Sequence, residues 1–348
     1  MVRNVIRVET TPQDMAQSRF ATSPLLETVH SLWIMSGRRP AGPHSAWKRQ
    51  NEHNYATLHE ATPALSAITS LMRFGYNMDF IVPPPRGTAT SIEEELATVR
   101  STPLAQARSE IRRNLNGHSR PSPKIFEILE ASDVTYRLAD ALALAWDILI
   151  APHWDRFKAI LEQEILQRGS RLALAGWAQA VGEITPEVRW YADDTCGHLE
   201  ILGQQQTGHY RLNGQGFLWI PSIFAPFAFQ LDAPWPYALI YSSPGIATAW
   251  ESEDVRPNEA LERLLGRSRA TVLQALSAPG TTTQLVARLG MSLGSVGDHL
   301  SVLRGAGLVI RMRLGRSVIY RRTPIGDALA EGDRPESGYK GEPHHQSN

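Results

Sequence analysis

The stretch Thr283-Gln284-Leu285-Val286-Ala287-Arg288-Leu289-Gly290-Met291-Ser292-Leu293-Gly294-Ser295-Val296-Gly297-Asp298-His299-Leu300-Ser301-Val302-Leu303-Arg304-Gly305-Ala306-Gly307-Leu308-Val309 holds two helical periods separated by a tight turn. Leu285, Val286 and Leu289 form the inner face of the first helix, which Thr282 or Thr283 can cap and Gly290 can end in left-handed geometry. Ser292 suits the N-cap of the second, in which Val296, Leu300 and Leu303 recur at i, i+4 and i+7 and must face a core. The opposite face carries Gly294, Asp298 and Ser301, flanked by Ser295 and His299. Small and polar residues just after a turn suit a helix that lies in the major groove and reads base edges with its first two turns.

Beyond Gly305 and Gly307, residues 309–314 and 317–322 alternate apolar with basic around Gly315-Arg316. That pattern predicts a hairpin with one buried face, a wing whose arginines project to one side, toward phosphates. Charge agrees with the pattern: residues 259–330 contain ten arginines against four acids, while the residues before them have 23 basic against 27 acidic. A formal net charge of zero therefore conceals a basic module on a mildly acidic body, the footprint of a nucleic-acid binder. The expected contacts divide by chemistry. Thr283, Gln284, Arg311, Arg313, Arg316 and Arg321 face the backbone of double-stranded DNA, Ser292, Ser295, Asp298 and His299 meet base edges or their flanks, and Arg304 is a further DNA-binding residue. Asp298 either accepts from a cytosine amino group or repels non-cognate phosphates, and the residues leave both open.

The run from Ser292 through Val296, His299-Leu300 and Leu303 to residues 306–309 resembles the recognition helix and exit of the bacterial ArsR/SmtB winged-helix regulators. The ribbon followed by Tyr320-Arg321-Arg322-Thr323-Pro324-Ile325-Gly326 is similar to that group's wing and the start of its last helix. The resemblance covers about a fifth of the chain and implies a transcription regulator, most often a repressor, dimeric on an inverted-repeat operator. Three departures limit it. The helix before the turn lacks the paired cysteines of the group's metal sensors, Gly297-Asp298 replaces the commonest polar pair before the His-Leu step, and the helix after the wing runs early into Gly332, Asp333 and Pro335. Metal sensing at that helix is therefore not expected, and the dimer contact is expected elsewhere.

Elsewhere means the first 250 residues. A chain of 348 residues predicts two or three domains of roughly 100–200 residues each. All nine tryptophans lie at or before residue 250. Helices are predicted over 24–35, 45–58, 92–100, 131–150 and 154–181, with Ser91 and Glu94 forming a capping box and Pro83-Pro84-Pro85 a stiff connector. After Pro186 the period changes, and short β-type runs at 188–191, 198–202, 209–212, 216–220, 227–231 and 237–241 predict an antiparallel meander. The expected class is α+β: a mainly helical accessory and dimerisation domain over 1–185, a small antiparallel region over 186–250, a linker at 251–258, a winged helix-turn-helix over 259–330 and a disordered tail over 331–348. This body is also similar to the long accessory region of some actinobacterial ArsR-like regulators, around residues 216–224 and 234–241.

A regulator needs a state variable, and Trp219, Phe224, Phe227, Trp235 and Tyr237 are candidates to enclose a small apolar effector. Large aromatics also dominate ordinary cores, and the same residues read more readily as packing. Asp193-Asp194-Thr195-Cys196-Gly197-His198 holds metal-ligand types at spacing wrong for tetrahedral zinc, which favours an acidic turn. Cys196 is the single cysteine, so no intramolecular disulfide forms and a reducing cytoplasm fits. Phosphate-loop, nucleophile-elbow and His-Glu-x-x-His patterns are absent, so neither enzyme activity nor a cofactor is expected. The remaining alternative is an enzyme or protein-interaction module carrying a winged-helix appendage. No signal peptide is expected, because Arg3 and Arg7 precede no apolar segment of sufficient length, and the most apolar run, 139–151, is too short to span a bilayer and contains Asp140 and Asp147.

Overall fold

Helix α2 (Pro24–Met35) organises the N-terminal part, because every one of its residues is buried. In the computed structural model the described residues are 4–73, 79–182, 184–192, 197–202, 207–231, 233–244, 259–276, 280–314 and 317–331. The chain divides into two units, residues 1–250 and 251–348. The expected linker at 251–258, the tail from 332, the Gly315-Arg316 turn and Asp193 to Cys196 lie outside the described residues.

In the first unit, α2 packs among α3 (Ser45–Ala61), α5 (Ile92–Ser101) and α8 (Val134–Ala145). The short α4 (Pro63–Ser70) and α7 (Pro123–Glu130), each opened by a proline that needs no hydrogen-bond partner at that position, extend the helical layer together with α6 (Leu104–Leu115). Ser23 caps α2, and Ser91 with Glu94 closes the predicted capping box on α5. Helix α8 runs into a wide π-turn at Trp146–Ile150 and a 3-10 turn at Ala151–His153, where Pro152 resets the chain. Helix α9 (Trp154–Gly182) follows, kinked at Gly176 where φ is 76°.

The sheets differ from the expected meander. Strands β3 (Val188–Ala192), β4 (Gly197–Leu202) and β5 (Gly208–Arg211) join β1 (Val5–Thr10) in the order β3-β4-β1-β5, with β1 antiparallel to β4 and parallel to β5. A second sheet has the order β2-β6-β8-β7, from β2 (Arg19–Phe20), β6 (Leu218–Ser222), β7 (Ala228–Gln230) and β8 (Ala238–Ser242); β2-β6 and β6-β8 are parallel. Each of these two sheets thus takes a strand from the first 20 residues, so the sheets are not confined to residues 186–250. The reason lies in β6, whose five residues are all buried. Trp219 joins the cluster with Phe217 and Tyr241, while Leu218 and Ile220 join the one with Leu26 and Ala238 on the opposite face. A strand covered on both faces suits parallel neighbours, and α1 (Pro12–Gln17) lies on the short connection that carries the chain from one sheet to the other. No helix among the described residues is long and apolar enough to cross a membrane.

Two carboxylates stitch α2 into this body. Glu27 accepts from the backbone N–H groups of Ile223 and Phe224, each at 2.9 Å. Glu95 accepts from Ser23 Oγ at 2.5 Å and from the Leu25 N–H at 2.8 Å. Burial pushes the Glu27 carboxyl up to about 7 and Glu95 up to about 8, against the donors that pull both down.

Candidate nucleic-acid interface

In the second unit, α10 (Glu259–Leu265) and α11 (Arg267–Ala275) precede β9 (Gly280–Thr281) and the helix pair α12 (Thr282–Leu289) and α13 (Leu293–Gly305). Leu285, Val296, Leu300 and Leu303 close on Leu261, Ala270, Val272 and Leu273, so the apolar positions at i, i+4 and i+7 do face the core. Gly290, at φ 64°, ends α12 in the left-handed region, and Ser292 Oγ accepts from the Ser295 N–H at 3.2 Å to start α13. Thr281, not Thr282 or Thr283, caps α12. Its hydroxyl accepts from the Gln284 N–H at 3.2 Å, and Gln284 Oε1 accepts from the Thr281 N–H at 2.7 Å. The signal was present as Thr-x-x-Gln over 281–284, the reciprocal capping box.

That box corrects one expectation. Gln284 is only 9% exposed and holds the helix start, so it is a positioning residue and not a free phosphate clamp. Thr283, by contrast, is exposed on the first turn of α12.

On α13, Ser292, Gly294, Asp298, Ser301 and Arg304 are exposed, and Ser295, Gly297 and His299 are half-buried. Ser295 Oγ and His299 Nε2 are hydrogen-bonded at 3.2 Å, one helical turn apart, which fixes the two side chains as a pair. A Cβ added at Gly294 or at Gly297 would meet nothing within 4 Å. The helix therefore presents a shallow face with open space above it.

Strands β10 (Val309–Leu314) and β11 (Ser317–Arg322) form the expected hairpin after α13, and β9 pairs with β11 to make a three-stranded sheet. The arginines are arranged differently from expectation. Arg311 and Arg313 stand opposite Tyr320 and Val318, whereas Arg321 stands opposite Ile310. Directly opposed residues share a face, so Arg311 and Arg313 project from one face of the ribbon and Arg321 from the other. All three are exposed. Arg316 lies outside the described residues. The expected single buried face is not formed: Val309 is buried on the Arg311 face and Ile319 on the Arg321 face, while Met312 is 46% and Val318 37% exposed.

Arg322 turns inward. It donates to the carbonyls of Leu273 and Gln274, both at 2.8 Å, and lies 3.5 Å from Asp327. It thereby satisfies the last carbonyls of α11 and fastens the ribbon to it, a use of arginine that charge counting does not reveal. The closing helix α14 (Pro324–Glu331) approaches so closely that a Cβ on Gly326 would sit 2.1 Å from Leu308 O.

The model of the family described as "Bacterial regulatory protein, arsR family" matches residues 267–311. The C-terminal unit carries an ArsR-type helix-turn-helix. The matched span runs from the start of α11 through α12 and α13 into β10, so the ArsR-type module is a DNA-binding element of a transcription regulator. No curated protein and no solved structure matches the chain.

The five aromatic candidates for an effector site are not brought together. Trp219 is fully buried beside Phe217 and Trp177, and Phe227 and Tyr237 pack against that same cluster. Phe224 belongs to the helical core with Trp47 and Phe157, where Trp235 also packs. Divided between two cores, they serve packing. Among the described residues, no group of three or more His, Cys, Asp or Glu is placed to hold a metal ion.

Proposed function

We propose that this regulator is a cytoplasmic repressor that binds an inverted-repeat operator as a homodimer and acts by binding, without catalysis. The observation that carries the reading is the shallow face of α13, led by Gly294, Ser295, Gly297 and Asp298, next in the fold to a hairpin bearing exposed arginines on both faces. A helix face without bulk lets the backbone approach the groove floor, and Arg311 and Arg313 on one side with Arg321 on the other suit phosphates flanking the groove. The dimer reading assigns the contact between copies to the N-terminal unit. Two modules then address half-sites roughly 34 Å apart or a multiple of it. Release of DNA is assigned to a small apolar effector taken up by the N-terminal unit.

The test is selection of bound genomic fragments with the purified full-length chain, alongside its mass in solution by sedimentation. Repeats spaced by whole helical turns, recovered by a dimeric species, support the reading. Fragments without a shared sequence, or a monomer at the binding concentration, overturn it.

A further inference from the structure

Helix α2 is lined with polar side chains that have partners. Thr28 Oγ1 donates to Pro24 O, Ser31 Oγ donates to Thr28 O, and Glu27 takes two backbone N–H groups. His30 is the exception, because among the described residues its buried Nδ1 has no hydrogen-bond partner. The residue is 7% exposed, and burial pushes its imidazole down to about 3, so the ring is neutral. An orphaned polar atom in a core is destabilising, and a leucine would avoid that cost.

His30 also lines a cavity of about 60 Å³. Its walls are Leu26, Val29 and Trp33 of α2, Met72, the connector residues Ile81 to Pro85, and Ile220 and Ile240 of the second sheet. The His30 ring stacks on Trp33 with centroids 6.2 Å apart. The polar groups besides His30 are few. Asp79 already accepts from Gln230 at 2.8 Å, and Ser23 Oγ is engaged with Glu95. Among the described residues that line it, none carries a positive charge to meet an anion. The volume is small beside the roughly 300–1,000 Å³ of drug-sized pockets, which restricts the occupant to a handful of heavy atoms.

We propose that this cleft binds a small, neutral, largely apolar molecule whose single carbonyl or hydroxyl group meets the imidazole of His30. As the seat of the effector, the cleft rests on the regulatory reading above; as a binding site, it stands on its own geometry. It replaces the aromatic set that the sequence suggested, none of which lines it.

Titration of the full chain, without DNA, with cyclopentanone, cyclopentane and cyclopentanecarboxylate tests this, read from the methyl NMR signals of Ile81, Ile220 and Ile240. Cyclopentanone is expected to saturate those signals and to bind about five-fold more tightly than cyclopentane, the worth of one hydrogen bond, with no saturation by the carboxylate. His30→Leu is expected to bring the ketone and the hydrocarbon to equal affinity while the melting temperature holds or rises. Ala238→Leu, which fills the cleft wall, is expected to abolish both. Absence of saturation in the folded wild type, equal binding of the carboxylate, or a ketone preference that survives in His30→Leu overturns the proposal. Because DNA is absent from the measurement, its failure leaves the operator-binding reading standing.

Discussion

Replacing Gly294 and Gly297 together by alanine separates stability from function with opposite signs. Both lie inside α13, and a methyl at either meets nothing within 4 Å, so neither substitution meets a steric penalty within the protein. Glycine in a helix interior is less favourable than alanine by about 1 kcal/mol, so the pair should stabilise the module by up to about 2 kcal/mol. For a domain of this size that corresponds to a rise of roughly 8–16 °C in its melting temperature. The measurement is clean because all nine tryptophans lie at or before residue 250. Tryptophan fluorescence follows the N-terminal unit alone, far-UV circular dichroism follows both, and the difference isolates the C-terminal transition. If α13 lies against base edges, the same two methyls stand between helix and groove, and affinity for a selected site should fall about ten-fold, a loss near 1.4 kcal/mol. A variant that melts higher and binds its site as tightly as the parent would refute the assignment of this face to DNA.

Other consequences are as direct. Gly326→Ala drives a Cβ to 2.1 Å from Leu308 O and must part the Thr323 N–H from that same carbonyl, a 3.0 Å bond. It should therefore lower the C-terminal transition by about 2–3 kcal/mol even though alanine favours helix, and an unchanged melt would show that α14 yields freely. Arg313→Ala should weaken binding to every sequence and reduce the slope of log affinity against log salt by about one, whereas Asp298→Ala should change which sequence is recovered in a selection; the reverse pattern would exchange their roles. The pH dependence of the N-terminal unit carries the mark of Glu27. Its folded value near 7 lies above the usual 4.5, so the stability it contributes is full below 4.5 and is lost as pH rises through 7. Urea unfolding followed by tryptophan fluorescence should show about 3 kcal/mol of that loss in the parent and not in Glu27→Gln; parallel curves would rule the assignment out.

Local elements were legible where period and punctuation agree. Helix α2 has its predicted ends, Pro24 and Met35, and strands β3 to β8 fall within two residues of the runs that Gly, Pro and Asn separate. Pairing was not legible, because it depends on partners far apart in sequence: Ile6 stands opposite Ile201 on one side and Gly208 on the other. The two-residue strand β2 is too short to show a period at all. Helices α4, α6 and α7 escaped notice because each is at most three or so turns long and lies between stretches rich in proline or polar residues. In the DNA-binding module the helix pair α12 and α13, the turn between them and the place of the hairpin were legible as local patterns, whereas α10 and α11 were not set out and the ribbon's arginines divide between its two faces. The inward turn of Arg322 and the role of Gln284 were not legible, since both depend on where a neighbouring backbone ends. The cleft escaped for a related reason. Its wall is built from Pro83 to Pro85, Met72 and two isoleucines, residues that signal a connector or a core until a lone imidazole is found among them.

The central place of β1 governs how this protein can be made. Its partners Leu199 and Tyr210 leave the ribosome some 200 residues after Val8 does. At translation speeds of about 5–20 residues per second, the segment Val5–Thr10 waits roughly 10–40 s with both edges unmatched. During that interval it is a short strand open to pairing with another nascent chain. Expression at low temperature or with a holdase should therefore raise the yield of native material, and an N-terminal fusion that deletes residues through Thr10 would excise the middle of a sheet and not trim a dispensable end.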